Sequence, residues 1–144
     1  MSADISITVY DERWKASLKP YTKTVRAACE AVLGRKRCEI AVVLADDKFI
    51  RELNSQYRGK NKPTNVLSFE GDDEHLGDII LAYETIEKEA KQQNKKFRDH
   101  AAHLLVHGTL HLLGHDHETD DEAEKMEKQE IKTLKKLGVS NPYL

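Results

Sequence analysis

Hydrophobic residues recur along the chain at two different periods, and each period predicts a different kind of element. Alternation of apolar and polar residues predicts a first β-strand over residues 5–9. Three further short apolar runs predict strands over residues 38–45, 66–69 and 76–82. Four strands of this length are enough to form one sheet.

Between these strands, apolar residues spaced three and four apart predict helices. They cover residues 12–33, with a break or a second start near Pro20, then 46–57, 84–93, 97–113 and 120–137. Because strands and helices are interspersed, we expect an α+β or mixed α/β fold: one domain over residues 1–144, with a four-stranded mixed sheet and about five helices. The segment 97–113 is apolar nearly all round, which predicts a central helix.

Composition narrows the function classes. The 144 residues have a net charge of −2, so no overall basic field indicates a nucleic-acid partner. The sequence contains no run of 18 apolar residues, so no membrane helix is expected. Its N-terminus has no basic segment followed by an apolar one, which argues against secretion and favours the cytoplasm. Cys29 and Cys38 lack the spacing of a zinc or redox motif, and we interpret them as reduced core thiols.

Four of the seven histidines lie between residues 107 and 117. His107 and His111 are four residues apart in an apolar run, so a helix places both imidazoles on one face. Gly114 is a suitable helix C-cap, after which the chain can turn back. Three neutral imidazoles around one point are typical of a zinc ion whose fourth position is open to water. This pattern predicts one Zn²⁺ held by three histidines.

The third ligand must come from beyond the helix. His103 also lies on the face of His107, but helical rise separates residues 103 and 111 by about 12 Å, too far for one ion. His115 and His117 are the candidates, and His117 is preferred because residues directly after the turn tend to point away. His103 is more typical of a surface or pocket-lining residue.

Three blocks of the sequence, in this order, resemble the bacterial YbeY family. They are residues 54–69, NSQYRGKNKPTNVLSF, then 76–80, LGDII, and 106–117, VHGTLHLLGHDH; DDEAE at 120–124 and NPY at 141–143 are also similar. The resemblance implies a metal-dependent endoribonuclease, specific for single strands, that acts in ribosomal RNA maturation, notably at the small-subunit RNA 3′ end, and in ribosome quality control. It implies zinc ligands at His107, His111 and His117 and an active-site arginine at Arg58.

The implied partners are single-stranded RNA, ribosomal RNA and the small ribosomal subunit, with no membrane or DNA. Arg58 would contact a phosphate with its planar fork, and Lys60 and Lys62 either follow the RNA backbone or are simply solvated. Asp116 either orients a ligand or forms a turn. The sequence departs from the family at Glu70, where proline is frequent, and in the short loop 70–75.

Two other functions are compatible with a three-histidine zinc site. A zinc metallopeptidase of the HExxH type carries a glutamate beside its first ligand, and here that position is Gly108. A non-catalytic, zinc-stabilised ribosome-binding module would normally have four protein ligands rather than three. Both alternatives are therefore less favoured than the nuclease.

Overall fold

A four-stranded mixed sheet forms the middle of the fold in the computed structural model, which describes residues 3–72 and 74–144. Its strands are Asp4–Val9 (β1), Glu39–Ala45 (β2), Val66–Glu70 (β3) and His75–Ala82 (β4), in the spatial order β1-β2-β4-β3. β1, β2 and β4 are parallel, whereas β3 pairs antiparallel with β4 and forms an edge of the sheet. The predicted α+β fold with a mixed sheet of four strands is thereby confirmed.

Six helices connect and cover these strands in the described residues, one more than the sequence pattern predicts. They are Arg13–Ser17 (α1), Tyr21–Leu33 (α2), Asp47–Arg58 (α3), Tyr83–Gln92 (α4), Phe97–Leu112 (α5) and Asp120–Lys136 (α6). The additional helix arises at Pro20, which divides the segment 12–33 into α1 and α2. Proline lacks the N–H that a continuous helix needs and restricts the residue before it to extended conformations.

Each face of the sheet packs against helices. On one face, Ile40 and Ile79 belong to a large core with residues of α2 and α5; on the other, Leu67 and Ile80 pack with Ile50 of α3. Ten of the sixteen residues of α5 are buried, and this helix contacts β3, β4, α2, α4 and α6. The helix that carries the predicted ligands is thus held on several sides by packed side chains, which fixes its position relative to the sheet.

No helix within the described part of the chain combines the length and the apolar character that a membrane crossing requires.

Candidate metal centre

A tight turn at the end of α5 brings the loop that follows it back toward the helix. Gly114 has a φ of 98°, a left-handed conformation that glycine adopts without a steric penalty. Its N–H donates to the carbonyl oxygen of His111 at 3.0 Å, and the N–H of His115 donates to that of Leu110 at 3.1 Å. These two bonds form a Schellman motif, as the position of Gly114 in the sequence predicts.

The three predicted ligands come together at this turn. The ring centroids of His107 and His111, one helical turn apart, are 6.3 Å from each other. His117 returns from the exposed loop and lies 5.9 Å from His107 and 6.2 Å from His111. His103 lies 6.4 Å from His107 on the side away from this triangle, toward the N-terminus of α5.

Hydrogen bonds fix the protonated nitrogen on both helix imidazoles. The Nδ1–H of His111 donates to the carbonyl oxygen of His115 at 2.9 Å, since a carbonyl can only accept. The Nδ1–H of His107 donates to the Oε1 of Glu130 at 3.4 Å. In both rings Nε2 is left with its lone pair, which is the tautomer that binds a metal.

The triangle is somewhat wider than a closed ligand set. Three imidazoles that share a tetrahedral ion through bonds of about 2 Å have centroids roughly 5 Å apart. In line with this, within residues 3–72 and 74–144 no three His, Cys, Asp or Glu side chains are close enough to hold an ion as they stand. Three imidazole nitrogens are suitable ligands for zinc. A small inward movement of the rings would bring them to the spacing of a closed ligand set.

Glu130 is part of this centre, although the sequence analysis above assigns it no role. It lies on α6, is 1% exposed, and its Oε1 accepts hydrogen bonds from the Nε2–H of His103 at 2.6 Å and from His107. The Tyr143 hydroxyl donates to both of its oxygens, at 3.0 and 3.1 Å. Burial of the carboxyl acts to raise its pKa, but the bonds from both imidazoles outweigh it and hold the pKa at about 2.

One signal in the sequence could have indicated this residue. Glu130 interrupts the apolar stripe of α6, and a carboxylate on a buried helix face requires hydrogen-bond donors. Asp116, by contrast, accepts the backbone N–H of His117 at 2.7 Å, so its side chain orders the turn. The role of His115 in the centre is indirect, because its backbone carbonyl oxygen accepts the Nδ1–H of His111.

Arg58 lies outside the histidine triangle, in a separate cleft. It is exposed at the end of α3 and lines a cavity of about 340 Å³ together with Lys60 and Lys62. Glu89 lines the same cavity, and its Oε1 accepts a hydrogen bond from the Nε2–H of His100 at 2.9 Å. Residues 100 and 107 are seven positions apart, so they share one face of α5, about 10 Å apart along its axis. Glu89 therefore connects the basic cleft to the helix face that carries His107.

Comparison with known proteins shows which family this chain resembles. The family model described as endoribonuclease YbeY matches residues 6–138. The endoribonuclease YbeY of Magnetococcus marinus is 52% identical over 122 residues, covering 74% of this chain and 83% of that protein. That of Neorickettsia sennetsu is 43% identical over 140 residues, covering 94% and 98%.

A solved structure shares the fold. The solution structure of TM1509 from Thermotoga maritima superimposes with a TM-score of 0.66 at 27% sequence identity, covering 92% of this chain and 88% of the other. The match to the family model extends over nearly the whole chain and includes every residue of the histidine triangle as well as Arg58. The chain therefore belongs to the endoribonuclease YbeY family.

Proposed function

We propose that this chain is a zinc-dependent endoribonuclease that cleaves single-stranded RNA. Its substrate in the cell would be ribosomal RNA on the small subunit, notably the 3′ end of the small-subunit RNA, and it would act in maturation and quality control of ribosomes in the cytoplasm. Residues 1–144 would form one catalytic domain. The observation that carries the proposal is the triangle of three imidazoles, two of them with Nδ1 protonated and Nε2 free.

His107, His111 and His117 would hold the zinc ion, one per chain. When bound, zinc supplies Lewis-acid chemistry, because it activates a water molecule as a nucleophile and stabilises negative charge on a phosphoryl oxygen. The protein's own contribution is to orient the ligands. The carbonyl oxygen of His115 and the carboxylate of Glu130 each hold one imidazole with Nε2 available, so little reorganisation is needed on binding.

The basic cleft supports an RNA substrate. Arg58, Lys60 and Lys62 line a cavity of about 340 Å³, within the usual size range of ligand sites. The guanidinium of Arg58 can donate two parallel hydrogen bonds to one phosphate, and the lysines can neutralise its neighbours. Because the cleft and the triangle are separate, a polymer that reaches both fits better than an isolated phosphate.

The peptidase alternative is disfavoured by the residue that follows the first predicted ligand. In an HExxH site the glutamate follows the first ligand, and that position here is Gly108 on α5. A Cβ added to Gly108 would lie 3.1 Å from the Oγ of Ser68 and 3.2 Å from the Cγ2 of Ile79. Ser68 and Ile79 would have to shift by a few tenths of an ångström to admit a side chain here, so Gly108 suits the close approach of α5 to β3 and β4, and this position supplies no carboxylate.

The deciding experiment compares substrates under one condition. Zinc-loaded protein is incubated with a labelled single-stranded RNA, with the same RNA annealed to its complement, and with an unstructured peptide. We expect internal cleavage of the single strand alone, lost on addition of a chelator and lost in His111→Ala. Cleavage of the peptide, or full RNA cleavage by His111→Ala, would contradict the proposal.

The ribosomal role requires a second substrate. Small subunits that carry a 3′-extended RNA are compared with the same RNA stripped of protein. Faster trimming near the mature 3′ end on the subunit is the expected result. Equal cleavage of both RNAs at scattered positions would contradict the ribosomal role and would indicate a single-strand nuclease without ribosomal specificity.

A further inference from the structure

The segment that follows α6 reaches the candidate metal centre through one buried carboxylate. Tyr143 directs its hydroxyl onto Glu130, and Glu130 in turn accepts the Nδ1–H of His107. Among the described residues, Tyr143 supplies the only hydrogen bond to the Oε2 of Glu130, because both histidines bind Oε1. The phenol thus completes the hydrogen bonding of a carboxylate that is almost fully removed from water.

Two further contacts hold Tyr143 in place. The Nζ of Lys95, in the turn between α4 and α5, donates to the carbonyl oxygen of Pro142 at 2.7 Å. The Oδ1 of Asn141 accepts the backbone N–H of Tyr143 at 2.8 Å. The segment is therefore fixed at both its backbone and its phenol, which makes the contact with Glu130 part of the folded structure.

We propose that Glu130 and Tyr143 are positioning residues for the metal centre: the carboxylate holds the His107 imidazole in the Nδ1–H tautomer, and the phenol holds the carboxylate. This inference rests on the proposed zinc site. A buried charge is stable only when its lone pairs are met by donors, so loss of the Tyr143 hydroxyl leaves Oε2 unpaired and free to pull the carboxylate away from His107. The segment after α6 would then determine how tightly zinc is held.

The test measures zinc affinity by chelator competition in wild-type protein, Glu130→Gln and Tyr143→Phe. Glu130→Gln keeps the shape but replaces the acceptor carboxylate by an amide, and we expect a 10–100-fold weaker affinity, as is usual for loss of an outer partner of a ligand histidine. We expect a smaller loss, several-fold, for Tyr143→Phe. Glu124→Gln, at an exposed position on the same helix, and Tyr10→Phe, an exposed phenol, are matched controls that should bind zinc as the wild type does.

A second measurement does not depend on metal. Nitrogen-15 NMR of the metal-free protein reports which ring nitrogen of His107 carries the proton. We expect Nδ1–H in the wild type and a mixture of tautomers in Glu130→Gln, a change that general destabilisation of the fold would not produce. Because Tyr143→Phe removes a single oxygen, it serves as the test if Glu130→Gln does not fold.

The outcomes separate the two proposals. Wild-type zinc affinity and an unchanged His107 tautomer in both variants would overturn the positioning role and leave the zinc site standing. A wild-type protein that binds no zinc would overturn the proposed function and the positioning role together. Weaker zinc binding in the variants, together with a shifted His107 tautomer, supports both the zinc site and the positioning role.

Discussion

At the scale of single residues, Arg58 is the side chain whose role is most directly testable. Its fork can bind two phosphate oxygens at once, which a lysine cannot reproduce. We expect Arg58→Lys to lower the rate of RNA cleavage at least tenfold, a loss of about 1.4 kcal/mol in transition-state stabilisation, with zinc content and thermal stability unchanged. Single-turnover kinetics on a labelled single strand measures the effect.

Arg51 provides the matched control for this experiment. It lies on the same helix, α3, and lines a different cavity from Arg58. Arg51→Lys should cleave RNA as the wild type does. Equal losses in both variants would indicate a general effect of charge on α3, and an unchanged rate in Arg58→Lys would remove the bidentate contact from the proposal.

His75 allows a prediction of how stability depends on pH. Its Nε2–H donates to the Oδ1 of Asp78 at 2.7 Å, and this bond raises the pKa of the imidazole above its ordinary value, against a smaller opposing effect of burial. The folded pKa is thus above the unfolded value near 6.5, so the added stability is complete below about pH 6.5 and lost as the pH rises through the folded pKa.

Urea unfolding of wild type and Asp78→Asn at several pH values measures this contribution. Both side chains are more than one third exposed, so the difference should not exceed about 1 kcal/mol. We expect the wild type to be the more stable protein at pH 6 and the difference to shrink by pH 8.5. A difference that grows with pH would contradict the assignment of the pair.

At the scale of elements, the end of α5 connects backbone conformation to ligand position. Gly114→Ala forces a Cβ into the left-handed region, which costs about 1–2 kcal/mol, and relaxation of that strain would shift the His115 carbonyl and His117. We therefore expect Gly114→Ala to lose both stability and zinc affinity. Denaturant unfolding and chelator competition measure the two effects.

Gly34→Ala separates a loss of stability from a loss of zinc affinity. Gly34 follows the last residue of α2 with a φ of 59°, so alanine also meets a backbone penalty there, on a helix that carries no predicted ligand. It should lose stability and keep wild-type zinc affinity. If both variants bind zinc equally well, the turn at Gly114 does not position the ligands.

The elements themselves were largely predictable, and their arrangement was not. Alternation located the first strand, short apolar runs located the other three, and helical spacing located the helix of the His107–His111 pair, because burial leaves these patterns in the local sequence. The order β1-β2-β4-β3 depends on which strands meet in space, which no local period encodes. The same reason explains why Glu130 was missed: its partners His103 and His107 are remote in the sequence, and only packing of α6 against α5 brings them together.

At the scale of the whole molecule, the fold does not depend on the candidate metal centre for its core. Apolar residues pack on both faces of the sheet, and His117 lies in the exposed loop beyond α5. A catalytic ion bound to such a fold should be removable without unfolding, in contrast to a structural ion that supplies the folding free energy. The effect of metal removal on folding therefore distinguishes a zinc enzyme from a zinc-stabilised module.

Removal of metal from the intact protein tests this distinction. We expect a chelator to abolish RNA cleavage and to leave the far-ultraviolet circular dichroism unchanged, with activity restored by zinc. Zinc at 100 times its Kd should stabilise the folded state by about 2.7 kcal/mol, and so raise the Tm by roughly 5–10 °C for a chain of this size. In His111→Ala this shift should disappear. Unfolding on chelation would favour the structural module, and cleavage that persists in the metal-free protein would contradict a metal-dependent nuclease.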